Sequence, residues 1–322
     1  LNVTKAWVIT RKLTEEQSNN LDISDLKAEK DSNFYEAIKI KQGFIQLGVE
    51  CKIVRLDDLK TENYISRMKR NEIPNIVVVR CMLWDPVEIS ILNALSNHGT
   101  IVLNNTRSQL LCINKWIQYK ELLRAGIPIP KSGLTSLYVT KDDVHSSMQT
   151  IGLEFPIIVK SICGSRADSV YKCHDIDQVM ESFIKINEIY PKTKFAMLQE
   201  WIDHRSKGVI SVLTFGNNSL YAQQRTANEE MDFFISNLRA NCNRNAYEIT
   251  SEIKELVTRT IPVIGKIELS RFDILHDGKN YLICEVNSPG SFTGYDNSMG
   301  LNCGLMVAEY ALERYQKDNK LI

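Results

Sequence analysis

The sequence predicts an α/β protein, and three observations lead there. Strand-like and helical runs alternate over the first hundred or so of the 322 residues, the pattern of an open and mainly parallel sheet. Farther on, Gly216-Asn217-Asn218-Ser219 and Asp277-Gly278 each lie between two strand-like runs, as turns of antiparallel hairpins do. No apolar run approaches the length that spans a bilayer, which leaves a soluble globular class.

In chain order, residues 5–10 read as a short buried strand, followed by a polar stretch over 12–32 expected to be mobile. Residues 34–47 carry a helical period that Gly48 ends, and 51–56 form the next strand. A third strand follows the proline in 73–79, a helix covers 87–97 and a fourth strand 101–104. No G-x-G-x-x-G follows the first strand, so a dinucleotide-binding Rossmann fold is not supported. A helix is then expected over 113–124, stopped at Gly126, and another within 136–151. Strands at 155–161 and 170–173 flank the polar loop I-C-G-S-R-A-D-S-V, a candidate phosphate flap. A helix over 175–189, a strand over 195–202, the hairpin of 209–215 with 220–225, a loop over 226–245, a helix over 248–264 and a terminal helix over 304–317 complete the chain.

Bulk properties exclude several classes. Basic and acidic residues number 39 each, so no global field steers the protein to nucleic acid or to an anionic membrane. The amino terminus enters a strand without a secretory signature, and a cytoplasmic protein is expected. The eight cysteines include no C-x-x-C, and the five histidines are scattered, which argues against zinc chemistry and gives no nucleophile triad.

The chemistry gathers in residues 270–290, S-R-F-D-I-L-H-D-G-K-N-Y-L-I-C-E-V-N-S-P-G, which read as a hairpin carrying Asp273, Glu285 and Asn287 on facing strands. Glu285 and Asn287 are two apart and share a face. Two carboxylates and an amide suit a Mg²⁺ ion that completes its shell with water and phosphate oxygens better than they suit a closed structural cage. A surface hairpin would carry the same residue types. The ligand reading gains from the apolar strand around Glu285, where an acid needs a partner. Lys160 likewise ends an apolar strand, F-P-I-I-V-K-S, where an ammonium is costly unless it meets an anion. Arg80 follows a predicted central strand, where open sheets place ligand groups, although a solvated loop charge is the plainer reading.

Taken in order, these stretches resemble the ATP-grasp superfamily, and within it the RimK-type ligases that add glutamate to a ribosomal protein. N-K-W-I-Q-Y-K-E-L-L-R-A-G-I-P-I-P is similar to the family's D-K-x-x-x-x-x-L-L-x-x-x-G-I-x-x-P, P-I-I-V-K to P-L-V-I-K, and L-Q-E-W-I to the adenine hinge V-Q-E-Y-I. S-R-F-D-I-L and C-E-V-N-S-P-G resemble G-V-D-I-L and E-V-N-S-S-P-G. The resemblance implies an ATP-grasp fold: an N-terminal open α/β pre-ATP-grasp domain (1–104), a central lid subdomain (105–190) and a C-terminal α+β catalytic subdomain with the metal site (191–322).

It also implies roles. Lys115 and Lys160 would hold ATP phosphates with Gly164 and Arg166 of the flap, Gln199, Glu200, Trp201 and Ile202 would form the adenine edge, and Asp273, Glu285 and Asn287 would bind two Mg²⁺ ions, with Mn²⁺ as the alternative. Arg225 and Asn237 would act on the transferring group, and Arg80 and Arg239 would meet the substrate carboxylate. The implied activity is a carboxylate–amine ligase working through an acyl phosphate on an amino acid, a peptide or a protein. Relatives often associate, which allows a homo-oligomer, but the sequence leaves the oligomeric state open. A macrocycle-forming peptide ligase and a nucleotide-binding protein without turnover are the alternatives.

Departures from the pattern bear on that choice. The family flap G-T-Q-G-I-G-V is G-S-R-A-D-S-V here, so Ala167 and Ser169 stand where glycines would. The aspartate and arginine of A-D-I-R fall on Val209 and Ser211, and Ile235 replaces the arginine of F-R-S-N, whose following R-G-G is lost.

Overall fold

The computed structural model describes residues 5–11, 32–60, 72–83, 85–164, 167–216, 219–227 and 242–319. The polar stretch after the first strand, Arg166, Asn237 and Arg239 lie outside these residues.

Three sheets follow one another along the chain. The first is parallel and pairs β1 (Lys5–Thr10) with β2 (Glu50–Arg55) and β3 (Ile76–Val79), with β4 (Ile101–Leu103) on the outer side of β3. Period-two alternation splits its side chains between two cores. Ala6, Val8, Ile76 and Val78 pack against α1 (Ser32–Gln46) through Phe34, Ala37, Ile40 and Phe44. Trp7, Ile9, Val77 and Val79 face the other way, onto Ile91, Leu92 and Leu95 of α2 (Pro86–Asn97). A capping box starts α2: Asp85 accepts from the helix backbone and Glu88 returns to Asp85.

The helix expected over 113–124 is two helices, α3 (Thr106–Ile113) and α4 (Lys115–Arg124). Asn114 separates them, because its extended backbone ends one helix while its side chain accepts from Trp116 and Ile117 at 3.0 and 3.1 Å and caps the next.

The central sheet has the order β5 (Ser132–Ser136), β8 (Phe195–Glu200), β6 (Ile157–Ser161), β7 (Val170–Cys173), all antiparallel. Its inner strand β8 comes from beyond residue 190, where a boundary was expected; antiparallel pairing with both β5 and β6 holds it in this sheet. Ile157, Val159, Ala196 and Leu198 pack against α5 (Lys141–Ile151) and α6 (Ile176–Ile189), so Ile158, Lys160 and Gln199 turn to the opposite face.

The third sheet is antiparallel, in the order β11 (Cys242–Ala246), β10 (Ser219–Ala227), β9 (Val209–Phe215), β12 (Leu269–His276), β13 (Tyr281–Asn287). Ile210, Val212, Ala222, Phe272 and Ile274 cover α7 (Ser251–Val263), which leaves Ser211, Gln223, Arg225, Arg271 and Asp273 on the other face. Strand β11 stands at the end of the stretch expected to be loop. After β13 come α8 (Thr293–Met299) and α9 (Cys303–Asn319), and α9 returns to the first sheet, where Val307, Ala308 and Ala311 join the α1 core. None of the eight cysteines is in a disulfide, and no helix among the described residues is long and apolar enough to cross a membrane.

Candidate active site

The outward face of the central sheet and the polar face of the third sheet enclose a cleft of about 1090 Å³, its open mouth included. Into it come Lys115, Lys160, Gly164 and residues 199–202 from one side, and Arg225, Asp273, Glu285 and Asn287 from the other.

Backbone placement sets the first lysine. Lys115 opens α4, and its N–H, which no helical carbonyl can satisfy, donates to Ile162 O at 2.8 Å. Its Nζ donates to Gly164 O at 3.0 Å and pairs with Glu285 Oε1 at 2.7 Å. Burial alone would lower the ammonium pKa; Glu285 more than offsets this and raises it. Gly164 carries a φ of +115° and lies so near Tyr190 that a Cβ would stand 2.5 Å from the phenol oxygen, so only glycine fits this turn. Ala167, at a family glycine position, keeps a left-handed φ of +58° without being glycine.

Lys160 is 5% exposed, and its Nζ meets the neutral Oε1 of Gln199 at 2.9 Å. Gln199 is oriented in turn, donating from Nε2 to Ser132 Oγ at 2.9 Å. Its side chain therefore positions the lysine, and Glu200 Oε1 accepts from Lys131 N at 2.6 Å at the start of residues 200–202, which edge the cleft. Ile202, Val209, Leu275 and Leu282 cluster beneath that edge as an apolar floor. Asp203, just beyond that edge, accepts from Arg205 Nε at 2.8 Å.

Across the cleft, Asp273 and Glu285 are paired residues of β12 and β13, with a bulge immediately after, and Arg271 pairs with Asn287. Asp273 accepts from Arg225 Nη2 at 2.7 Å, from Ser211 Oγ at 3.0 Å and from Arg271 Nη2 at 3.2 Å. Burial pushes its pKa up, but Arg225, Arg271 and Ser211 together outweigh that and hold the carboxyl below its ordinary value. Asn287 Nδ2 is buried without a hydrogen-bond partner. Among the described residues no three His, Cys, Asp or Glu side chains form a closed metal cluster. Two carboxylates and an amide that can offer its oxygen suit an open Mg²⁺ site that phosphate and water would complete, whereas the orphaned Nδ2 is a donor and calls for an acceptor.

The structure does not bring Arg80 to this cleft. It is 1% exposed, ion-paired with the fully buried Glu36 of α1, donates from Nη1 to Gly290 O at 3.2 Å and lies over the Phe292 ring. Glu36 supplies the countercharge that a substrate carboxylate was expected to bring. Arg271, by contrast, escaped the sequence reading, although alternation from Asp273 puts it on the site face.

Comparison with known proteins gives the family and the fold. The model of the RimK-like ATP-grasp domain matches residues 112–311. N-acetylaspartylglutamate synthase A of Mus musculus is 24% identical over 256 residues, covering 77% of this chain and 64% of that protein. A probable α-L-glutamate ligase of Haemophilus influenzae is 24% identical over 226 residues, covering 69% of this chain and 70% of its own. The chain thus spans about two thirds of the length of these curated relatives. The crystal structure of D-alanine–D-alanine ligase from Bacillus anthracis superposes with a TM-score of 0.70 over 98% of this chain and 99% of that one, at 15% identity, a likeness of fold.

Proposed function

Because the chain belongs to the RimK-like ATP-grasp family, we propose that it is an ATP-dependent ligase joining a carboxylate to an amine on an amino acid or peptide substrate. The observation that carries this reading is the opposition, across one cleft, of two lysines on the central sheet and the Asp273–Glu285–Asn287 face on the third. Among the described residues no acid lies within hydrogen-bond reach of Lys160, and the ion-pair partners of Lys115 and Asp273 are ones that an incoming Mg-nucleotide would exchange.

In this reading Lys115, Lys160 and the Gly164 turn hold the phosphates, the 200–202 backbone with the Ile202, Val209 and Leu275 floor takes the adenine, and Asp273, Glu285 and Asn287 hold two Mg²⁺ ions. Bound there, the metal would supply neutralisation of phosphate charge. A substrate carboxylate oxygen attacks the γ-phosphorus and ADP leaves; an amine nitrogen then attacks the acyl carbon, phosphate leaves and the nitrogen loses a proton. The protein's contribution is fixed charge and exclusion of water, with Arg225 placed to stabilise the phosphoryl oxygens. No protein nucleophile is needed.

Calorimetric titration of Mg–AMP-PNP into wild type and into Glu285→Ala/Asn287→Ala tests the site. Binding by the wild type and its loss in the double variant are expected and, with Mg-ATP in place of the analogue, ADP release that depends on an added carboxylate and amine. A folded wild type that binds no Mg–AMP-PNP would overturn the ligase reading.

A further inference from the structure

The polar face of the third sheet carries more positive charge than its acids balance. Arg225 and Arg244 stand directly opposite each other in the β10–β11 ladder, and Arg271 shares their face on β12. Among the described residues, Asp273 is the one acid that pairs with any of the three, through Arg225 and Arg271. The next acid along the face, Glu285, is taken by Lys115. Arg244 therefore has no countercharge among the described residues, and like charges directly opposite in a ladder repel. Burial lowers its pKa, Cys242 partly offsets that, and Arg225 and Arg271 lower it further.

Donor atoms around it are also unspent. The Nε atoms of Arg225 and Arg271 are buried without an acceptor. Gln223 Oε1 accepts from Ser298 Oγ at 3.3 Å, an assignment of the amide that leaves Nε2 to donate elsewhere. That Nε2 and Arg244 Nη1 converge over Gly294, 3.4 and 3.0 Å from where a Cβ would sit. A residue larger than glycine would intrude on both donors.

We propose that Arg244 and Gln223 form an anion subsite, beside the phosphoryl-transfer centre and distinct from it, that takes a carboxylate of the substrate other than the one activated. A guanidinium fork with an adjacent amide N–H matches a planar carboxylate. The nucleotide phosphates are served from the opposite side of the cleft and from β12–β13, whereas β11 lies three strand spacings from β12, roughly 14 Å at the backbone. Opposite residues of an antiparallel pair are about 5 Å apart, so the tips of Arg225 and Arg244 suit two carboxyl groups of one short-chain acid. Ser211 stands where the family has an arginine, and Arg271 brings positive charge to the same sheet face from another position.

This inference rests on the ligase reading, and the test separates the two. Wild type loaded with Mg–AMP-PNP is titrated calorimetrically with glutarate and with its monoamide, and Arg244→Gln, Arg244→Lys and Gln223→Ala are treated alike. Glutarate is expected to bind wild type about ten-fold more tightly than the monoamide. Arg244→Gln should erase that preference, Arg244→Lys should restore part of it, and AMP-PNP affinity should stay within about two-fold in each. A loaded wild type without the preference, or an Arg244→Gln protein that keeps it, overturns the subsite. Loss of AMP-PNP affinity in Arg244→Gln overturns it too, by making Arg244 a phosphate ligand. A wild type that binds no AMP-PNP fails the ligase reading instead.

Discussion

Arg80 and Arg225 are both buried, both project from strand ends or strands, and both bond a carboxylate, yet their surroundings differ in the balance of charge. At Arg80 one guanidinium meets one carboxylate, and Glu36 Oε1 is further satisfied by Ser291 Oγ, the Phe292 and Thr293 N–H groups and Thr293 Oγ1 at 2.6–2.9 Å. At Arg225 three guanidinia gather on a face where one carboxylate pairs with them. In charge the first set is closed, although Arg80 Nε lacks an acceptor as the Nε atoms of Arg225 and Arg271 do, and it ties α1 and β3 to the turn after Asn287. The second is open, and a ligand that brings negative charge completes it. Burial of a cation is thus a poor sign of function by itself; an unmatched countercharge is a better one.

Breaking the closed set should have the largest effect. Glu36→Ala leaves Arg80 unpaired in the core and strands the first N–H groups of α8, at a cost of about 3–5 kcal/mol measured by urea denaturation. Replacing both partners, Glu36→Leu with Arg80→Met, should recover most of that loss, because two well-packed apolar groups need no countercharge. Recovery would mark the pair as structural; a stable double variant that no longer releases ADP would show that the turn at 290–293 also needs the charges.

At the open set the effect moves from stability to rate. Arg225→Ala should lower kcat by about 10²–10³, the range seen on removing one fixed donor to a developing charge, read as ADP release under saturating Mg-ATP. Unfolding should change far less than in Glu36→Ala, since Arg271 still accompanies Asp273.

The two regions also differ in how far the sequence reveals them. Asp273, Glu285 and Asn287 are legible because alternation and a turn fix a hairpin locally, and Lys160 is legible because an ammonium in an apolar strand contradicts its surroundings. Glu36 as the partner of Arg80 is not legible: it lies 44 residues away on a helix whose own period gives no hint of an acid turned inward. Strand β5, S-G-L-T-S, lacks the apolar alternation of a strand and forms because β8 offers it a ladder. Arg271 was within reach of alternation, whereas Arg244 sits in a polar run, C-N-R-N-A, whose strand exists only through pairing with β10.

Acid should separate the two regions by a smaller amount. The carboxyl of Asp273 is held below its ordinary value, so its contribution to stability is complete above the unfolded-state pKa of about 3.9 and fades as pH falls through its lower folded value. The stability difference between wild type and Asp273→Asn should therefore be constant near neutrality and shrink below about pH 4, by about 1.4 kcal/mol for each unit by which the folded pKa is depressed.

The smallest effect has the opposite sign. Arg244 is partly buried beside two other guanidinia with no acid among the described residues, so without ligand its charge opposes the fold. Arg244→Gln keeps much of the side-chain length and its hydrogen-bonding capacity while removing that charge, and should raise the stability of the ligand-free protein by about 1 kcal/mol, seen as a higher urea midpoint at unchanged slope. Saturating glutarate together with Mg–AMP-PNP should reverse the order, because bound anion stabilises the wild type by mass action and the variant less. A variant less stable than wild type without ligand would mean that Arg244 is already neutralised, and the contrast between a closed and an open arginine site would no longer hold.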